Sequence, residues 1–542
     1  MIRHATRVTR EWLVVAGVVA LTTIVSTWPL VARPWSIPEH QDPLFSTWRL
    51  YQWARNLVQQ PWQPFDGNIF YPAADVLLFS DAIALPALVG APAIWLGVPP
   101  LIVYDTLVFA SFLTAGLAMY LFARSVSGSR AAALVAAVVF TGAPSRIEHV
   151  YHLELLWTAW IPAAFWSLHR LLQGRRPFAR FLGLSMVGQL LSCIYYGLHL
   201  VTVLPVVGAL TWLSRPVRIP RQALLRLSAV GVIVVLVALA YGLPYMRARD
   251  RLGERSQDEI SGYGAELVNY VATPAGNVLW GWTAEVLGAR EKRLSAGVVA
   301  YALALPAFLP PLQPWTIGLA GGALFSFDAS RGLDGFVYPA LYRVAAPFRG
   351  LRVPARFGAL VLACVAALAA MGVARVEQGF ADVRWARIAV VLLLGALLME
   401  YATTHQTRDL PSRAPSLYAW LGQQPSTVIA HFPMPRPEAL PGPEADFQYF
   451  AQYHRHELVN GNSGFYPRHY LQLLERVRRF PDERSLSALR NAGVSLIIIH
   501  ARHYQPDDYG RVTTELEGSD EVIAAGTFLD EQGTARVYRL RP

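Results

Sequence analysis

From Trp12 to Ala32 the chain runs for twenty-one residues without a charged side chain. At 1.5 Å per residue such a run reaches about 30 Å as a helix, the thickness of a bilayer's hydrocarbon layer. Arg3, Arg7 and Arg10 precede it as they would precede a signal peptide. The apolar region is too long for one, however, and no small-x-small cleavage site stands before Arg33, so the segment is expected to stay as a first span. Composition agrees: 54% hydrophobic and 15% charged residues in a chain of 542 describe a polytopic membrane protein.

The formal charge of +10 sits in short clusters between apolar runs, so membrane orientation rather than nucleic acid accounts for it. Lys292 is the single lysine. Cys193 and Cys364 both lie in apolar runs and read as packing residues, which leaves no disulfide framework and no cysteine metal site.

After the first run, apolar segments bounded by charge or proline fall at roughly 102–123, 131–143, 153–169, 181–195, 197–213, 225–243, 295–311, 315–327, 357–374 and 387–401, giving about eleven spans. The basic loops around Arg124 and Arg130, Arg170 to Arg180, Arg215 to Arg226 and Arg375 to Arg387 then share the side of the N-terminus, as the positive-inside rule requires. The segment "AIALPALVGAPAIWLGV", Ala82 to Val98, is interrupted by Pro86 and Pro92, and counting it would invert every later loop. It reads as a re-entrant or interfacial helix on the outer face.

The expected architecture is an all-α polytopic membrane domain, residues 1–401, with outer loops at 34–101 and 246–294. A small extracytoplasmic α/β domain, 402–542, follows. In it "STVIAHFPM" and "VSLIIIHA" read as strands, "FPDERSLSALRNAG" as a helix from Asp482 to Gly493, and "EVIAAGTFLDEQGTARVYRL" as a hairpin turning at Glu531-Gln532-Gly533.

Candidate chemistry lies on the outer side. The first span leads into "WSIPEHQDPLFSTWRLYQWARN", with Glu39, His40 and Asp42 beside Trp35, Phe45, Trp48, Tyr51 and Trp53. A partly desolvated Asp42 would be a better proton acceptor than one in bulk water. An N-cap with proline at the first helical position explains Asp42-Pro43 as well, and an interfacial belt explains the aromatics. Asp66 and Asp75 read as turn residues, whereas Asp81 is kept as a candidate that could also cap the following helix.

The loop "GAPSRIEHVYHLELLWTAW" gathers Arg146, Glu148, His149, His152 and Glu154. On a helix His149 and His152 share a face, with Glu148 near both, so a divalent metal is open, although no HExxH occurs. Binding of an acceptor or a phosphate fits somewhat better, and polar helix ends at an interface are the plain alternative. "FRGLRVPARF" sets Arg349, Arg352 and Arg356 on the outer side against the charge bias, which favours a lipid phosphate over simple headgroup anchoring. "CIYYGLHL" reads as a turn with interfacial aromatics, Tyr196 being kept as a substrate contact. The loop 246–294 carries seven basic and seven acidic residues and could cover a cavity. No GxSxG elbow, P-loop or Rossmann context appears.

The cytosolic N-terminus, the long first outer loop with an acidic residue just past the membrane, the "HQDP", "NIFYP", "SRIEHVYHLELL", "YYG", "LRVPARF" and "LVNGNSGFYP" segments and the outer C-terminal domain resemble the GT-C superfamily of polytopic glycosyltransferases. The resemblance covers most of residues 1–400. It implies transfer of a sugar from a polyprenyl-phosphate carrier to an acceptor hydroxyl of an envelope glycan, lipid or protein, with Asp42 as base and Arg352 and Arg356 on the leaving phosphate. Glu148 and His152 would orient the acceptor or a metal. The chain departs from the commoner pattern in its solitary Asp42, with Glu39 three residues earlier, instead of adjacent acids. The alternative is a silent scaffold or a transporter on a similar framework, which should show repeated halves or charges at mid-membrane.

Overall fold

Helices stand at each of the eleven expected places in the computed structural model of the chain, which describes residues 2–216, 221–379, 383–530 and 532–542. Arg218 of the 215–226 loop, residues 380–382 of the 375–387 loop, Glu531 of the C-terminal turn and the side chains of Arg3 and Arg7 lie outside the described residues. Among the described residues six helical segments are long and apolar enough to cross a membrane: Thr9–Ser26, Pro100–Ser127, Arg130–Ile147, Ile194–Ser214, Leu224–Arg249 and Pro354–Glu377. By contact the described chain forms two units.

The first unit comprises 1–34, 105–243 and 254–407. Its first helix, Ile2–Ser26, stops earlier than the expected 32, ahead of Pro29, since residues before a proline avoid helical geometry. Thr22, Thr23 and Thr27 return their hydroxyls to carbonyls four residues back, at 2.7–2.9 Å, which satisfies them where water is scarce. The core is built around Gly358–Glu377, an alanine-rich helix almost all of whose residues from Gly358 to Ala374 are buried. Small residues let neighbouring backbones close in. Gly372 shows how closely: a Cβ there would lie 1.9 Å from the Leu303 carbonyl oxygen. Opposite in character is Arg221–Leu252, of whose apolar window only 6% is buried, leaving Val232, Ile233 and Leu236 exposed as a lipid-facing helix requires.

The span expected at 153–169 is broken in two, Leu153–Leu156 and Trp160–Leu172. The break has a cause in the side chain of Arg146, which draws the Leu156 carbonyl at 2.6 Å and binds the Thr158 hydroxyl, taking both away from a continuous helix.

The second unit comprises 35–104, 244–253 and 408–542, so the first loop packs with the C-terminal region rather than within the span-bearing part. Its sheet contains β1 (Val428–Phe432), β2 (Glu457–Leu458), β3 (Leu496–His500), β4 (Val522–Asp530) and β5 (Gly533–Leu540) in the order β2-β1-β3-β5-β4. The pairs β1/β2 and β1/β3 are parallel, while β3/β5 and β4/β5 are antiparallel. Asp482 caps Glu483–Asn491 by accepting the Ser485 N–H at 2.9 Å, and Gly493 follows with φ +80°. Asn68 joins the loop to β2: its amide donates to the His456 carbonyl at 2.8 Å and its oxygen accepts from Trp48 and Gln52 at 3.0 and 2.6 Å. Trp48 and Trp53 are therefore core residues with satisfied indoles, not an interfacial belt. Ala84–Trp95, the proposed re-entrant segment, is a helix of 12 residues, too short to cross a bilayer, with Pro92 inside it.

Gly372→Ala should disrupt the close approach to Leu303 and cost about 1–3 kcal/mol, the usual penalty of overpacking. Thermal melting in detergent should show a lowered midpoint, and an unchanged midpoint would contradict the packing described.

Candidate functional site

A buried polar cluster forms in the first unit where three separate stretches of chain meet. Arg356 comes from the short turn Pro354–Phe357 at the head of the central helix, His149 and His152 from the loop before Leu153–Leu156, and Glu291 from the loop before Val298–Ala304. The last loop is pinned on both sides. Leu294 N–H donates to the Asn269 carbonyl and Ser295 N–H to that of Ala272, at 2.9 and 3.1 Å, while the Ser295 carbonyl accepts from Ser145 N–H at 2.9 Å. Glu291 itself adopts φ +68°, a left-handed conformation rare outside glycine and held only where its surroundings demand it.

Both oxygens of Glu291 accept from Arg356, from Nη2 at 2.7 Å and from Nε at 3.1 Å, in a two-pronged ion pair that leaves Arg356 8% exposed. The guanidinium also stacks over the Tyr195 ring at 4.5 Å. His149 Nδ1 lies 3.8 Å from one Glu291 oxygen and His152 Nε2 3.9 Å from the other. Burial works against the charge on Glu291, but the Arg356 guanidinium beside it holds its carboxyl well below the usual range. Burial pushes His149 down to about 3, so its ring is neutral with a lone pair at neutral pH.

Glu148, expected beside the two histidines, instead faces Arg293, with 3.3 Å from Nη1 to each carboxylate oxygen. Its burial raises its pKa to about 7 against the opposing pull of Arg293. Glu291 and Arg293 were not legible as site residues, because they sit in a charge-dense loop where nothing marks one acid from the next. The left-handed backbone of Glu291 is visible only in three dimensions.

The remaining candidates are placed as follows. Arg146 is buried and is held by the Ser111 and Leu156 carbonyls and by Thr158. Tyr196 is 2% exposed and lines a small chamber with Arg146, His149 and Arg356. Arg352 stands over the Tyr263 ring at 5.2 Å, near Glu259, and its backbone N–H donates to the Tyr195 hydroxyl at 2.9 Å. Arg349 caps the carbonyls of Tyr342 and Arg343 instead of joining the cluster.

In the second unit Asp42 is the first residue of Asp42–Gln59, and the cap position belongs to Gln41. The N-cap expected at Asp42 thus falls one residue earlier, on Gln41, whose side chain makes no capping hydrogen bond, and Asp42 stands in the first turn. Its carboxylate lies 2.8 Å from His40 Nδ1. Glu39 is exposed, and Asp81 accepts the Ile83 N–H at 3.3 Å just before Ala84–Trp95.

Helical architecture and the small sheet give this membrane protein the fold of GT-C glycosyltransferases. Similar solved structures carry that statement. The arabinofuranosyltransferase AftD from Mycobacteria matches with a TM-score of 0.66 at 14% identity, over 98% of this chain and 42% of its own. The chain thus spans about two-fifths of that protein. ArnT from Cupriavidus metallidurans matches at 0.51 and 13% identity, over 99% and 98% of the two chains. An Archaeoglobus fulgidus oligosaccharyltransferase, solved with Zn and sulfate, matches at 0.52 and 12% identity, over 97% and 73%. No protein-family model matches the chain, and no curated protein matches it in sequence.

Glu148 gives a pH test. Below its ordinary value of 4.5 both folded and unfolded chains hold the proton; above it the unfolded chain releases the proton first. The contribution of the neutral buried acid to stability therefore declines from about pH 4.5 to about pH 7 and then levels. Glu148→Gln should flatten that part of the melting-midpoint profile, and a profile parallel to the parent would contradict the assignment.

Proposed function

We propose that the chain is a membrane glycosyltransferase of the GT-C type. It takes a sugar from a polyprenyl-phosphate carrier and joins it to a hydroxyl of an envelope glycan, lipid or protein on the outer face of the cytoplasmic membrane. The N-terminus is cytoplasmic and the C-terminal domain extracytoplasmic in this reading, which rests on the charge asymmetry of the loops.

The observation that carries the proposal is the seating of Arg356. Glu291 grips the guanidinium through Nε and Nη2, and among the described residues Nη1 makes no hydrogen bond. A planar cation fixed on one edge with the other available is suited to a phosphate oxygen, and it would need no rearrangement as negative charge grows there. The acceptor oxygen forms a bond to the anomeric carbon as the carbon–phosphate-oxygen bond breaks. The phosphate leaves with the bonding electrons, and the acceptor's proton passes to a base, the role that the sequence resemblance gives to Asp42. Inversion at the anomeric carbon follows from a single displacement. Arg352 adds positive charge, and Glu148, poised near neutrality, orients the acceptor.

His149, His152 and Glu291 each offer a ligand atom, all within 4.8 Å of one another, and the buried His149 Nδ1 has no hydrogen-bond partner. Two imidazoles and a carboxylate suit a divalent ion, and each Glu291 oxygen keeps a lone pair beyond the one given to Arg356. A bound cation would supply Lewis acidity toward phosphate oxygens.

Asp42→Asn should lower transfer of radiolabelled sugar from membrane lipid carriers by about 100-fold or more, the usual share of a general base. Undiminished transfer would remove Asp42 from that role. Elemental analysis of the purified protein should find about one divalent ion per chain, lost in His149→Ala. A metal-free parent protein with full activity would leave the cluster as an Arg–Glu–His network alone.

A further inference from the structure

Beyond the transfer chemistry, the same unit contains a small chamber of about 20 Å³ whose polar wall is Ser145, Arg146, His149, Thr158, Tyr196 and Arg356. The charges around it do not balance. Arg356 is matched by Glu291, but Arg146, 5% exposed, forms no ion pair with any carboxylate among the described residues. Its neighbours are dipoles and rings: the Ser111 and Leu156 carbonyls at 3.1 and 2.6 Å, the Thr158 hydroxyl, and the faces of Phe112 and Phe140 at 4.7 and 5.8 Å. These soften the cost of a buried cation without cancelling its charge.

Two donors at the chamber are also unused. Arg146 Nε and Ser145 Oγ are both buried and have no hydrogen-bond partner. An Nε–H can only donate, so what it needs is an acceptor. The chamber exceeds the roughly 10–15 Å³ that a single small guest requires, and it is too small for a phosphate group with its several oxygens. A water would accept from the donors but leave the charge unmatched, and it would bring two hydrogens of its own to place.

We propose that this chamber is a binding site for a monatomic anion, chloride under ordinary ionic conditions, held by Arg146 Nε and Ser145 Oγ. The ion supplies the negative charge that the chain itself does not place beside Arg146. It is a structural ion of the polar core and takes no part in bond making.

The test uses the purified full-length protein, exchanged at constant pH and ionic strength among sodium chloride, bromide and gluconate. Melting midpoints should be higher in chloride and bromide than in gluconate, which is too large for the chamber. Ser145→Ala, which keeps the arginine, should raise the halide concentration at half effect about tenfold, in line with loss of one hydrogen bond to a charged group. Crystals grown in bromide should give an anomalous peak beside Arg146 Nε. Equal melting in all three salts, or a bromide map with no peak in the chamber, would overturn the proposal. Arg146→Met should abolish the difference between halide and gluconate, and Ser145→Ala keeps the test decisive even where that variant fails to fold.

Discussion

The ion pair between Arg356 and Glu291 organises the polar centre of the first unit. Each partner is nearly enclosed, and an isolated charge in such surroundings would be costly, so neither can be there without the other. The pair fixes a guanidinium at the head of the central helix, its Glu291 sits in a left-handed backbone conformation, and the two histidines lie within reach of the same carboxylate. Removing one partner of such a pair commonly costs about 3–5 kcal/mol, because the other is left charged and dry. The arrangement is thus a poor way to gain stability and a good way to hold a cation in one orientation.

The same logic separates the acids and bases around it. Glu291 is ionised because Arg356, bonded to both its oxygens, outweighs its burial, whereas Glu148, whose partner Arg293 is more exposed, has its pKa raised by burial to about 7. His149 is neutral because burial dominates. Three titratable groups within a few residues of contact are driven to three different states by the balance of desolvation and charge. An active centre for group transfer uses such differences, with one group to carry charge, one to exchange a proton and one to donate a lone pair.

Much of the architecture was legible in the sequence, because apolar run length and the placement of arginine obey simple transfer energetics. The helix positions, the C-terminal strands and the Asp482 cap follow from local pattern alone. Tertiary requirements hid the rest. The break at Trp157–Ala159 goes with Arg146 reaching across to Leu156 and Thr158, and the grouping of the first loop with the C-terminal region includes the hydrogen bond from Asn68 to His456, neither of which a local pattern encodes. Among the candidate residues, Arg146, His149, Tyr196 and Arg356 line one small chamber, and His152 lies beside the same Glu291 carboxylate. Glu291, which binds them together, was not, since a glutamate in a mixed-charge loop carries no local signature.

The central claim is that Arg356, oriented by Glu291, receives the phosphate of a lipid-linked sugar. Native mass spectrometry of the protein released from membranes with its bound lipids tests this most directly. The account predicts that the parent protein retains a species with the mass of a polyprenyl-phosphate-linked sugar and that Arg356→Gln, folded by the criterion of a cooperative melt, retains little of it. Equal retention by both, or no such species on the parent protein when the carrier is supplied, would contradict the account.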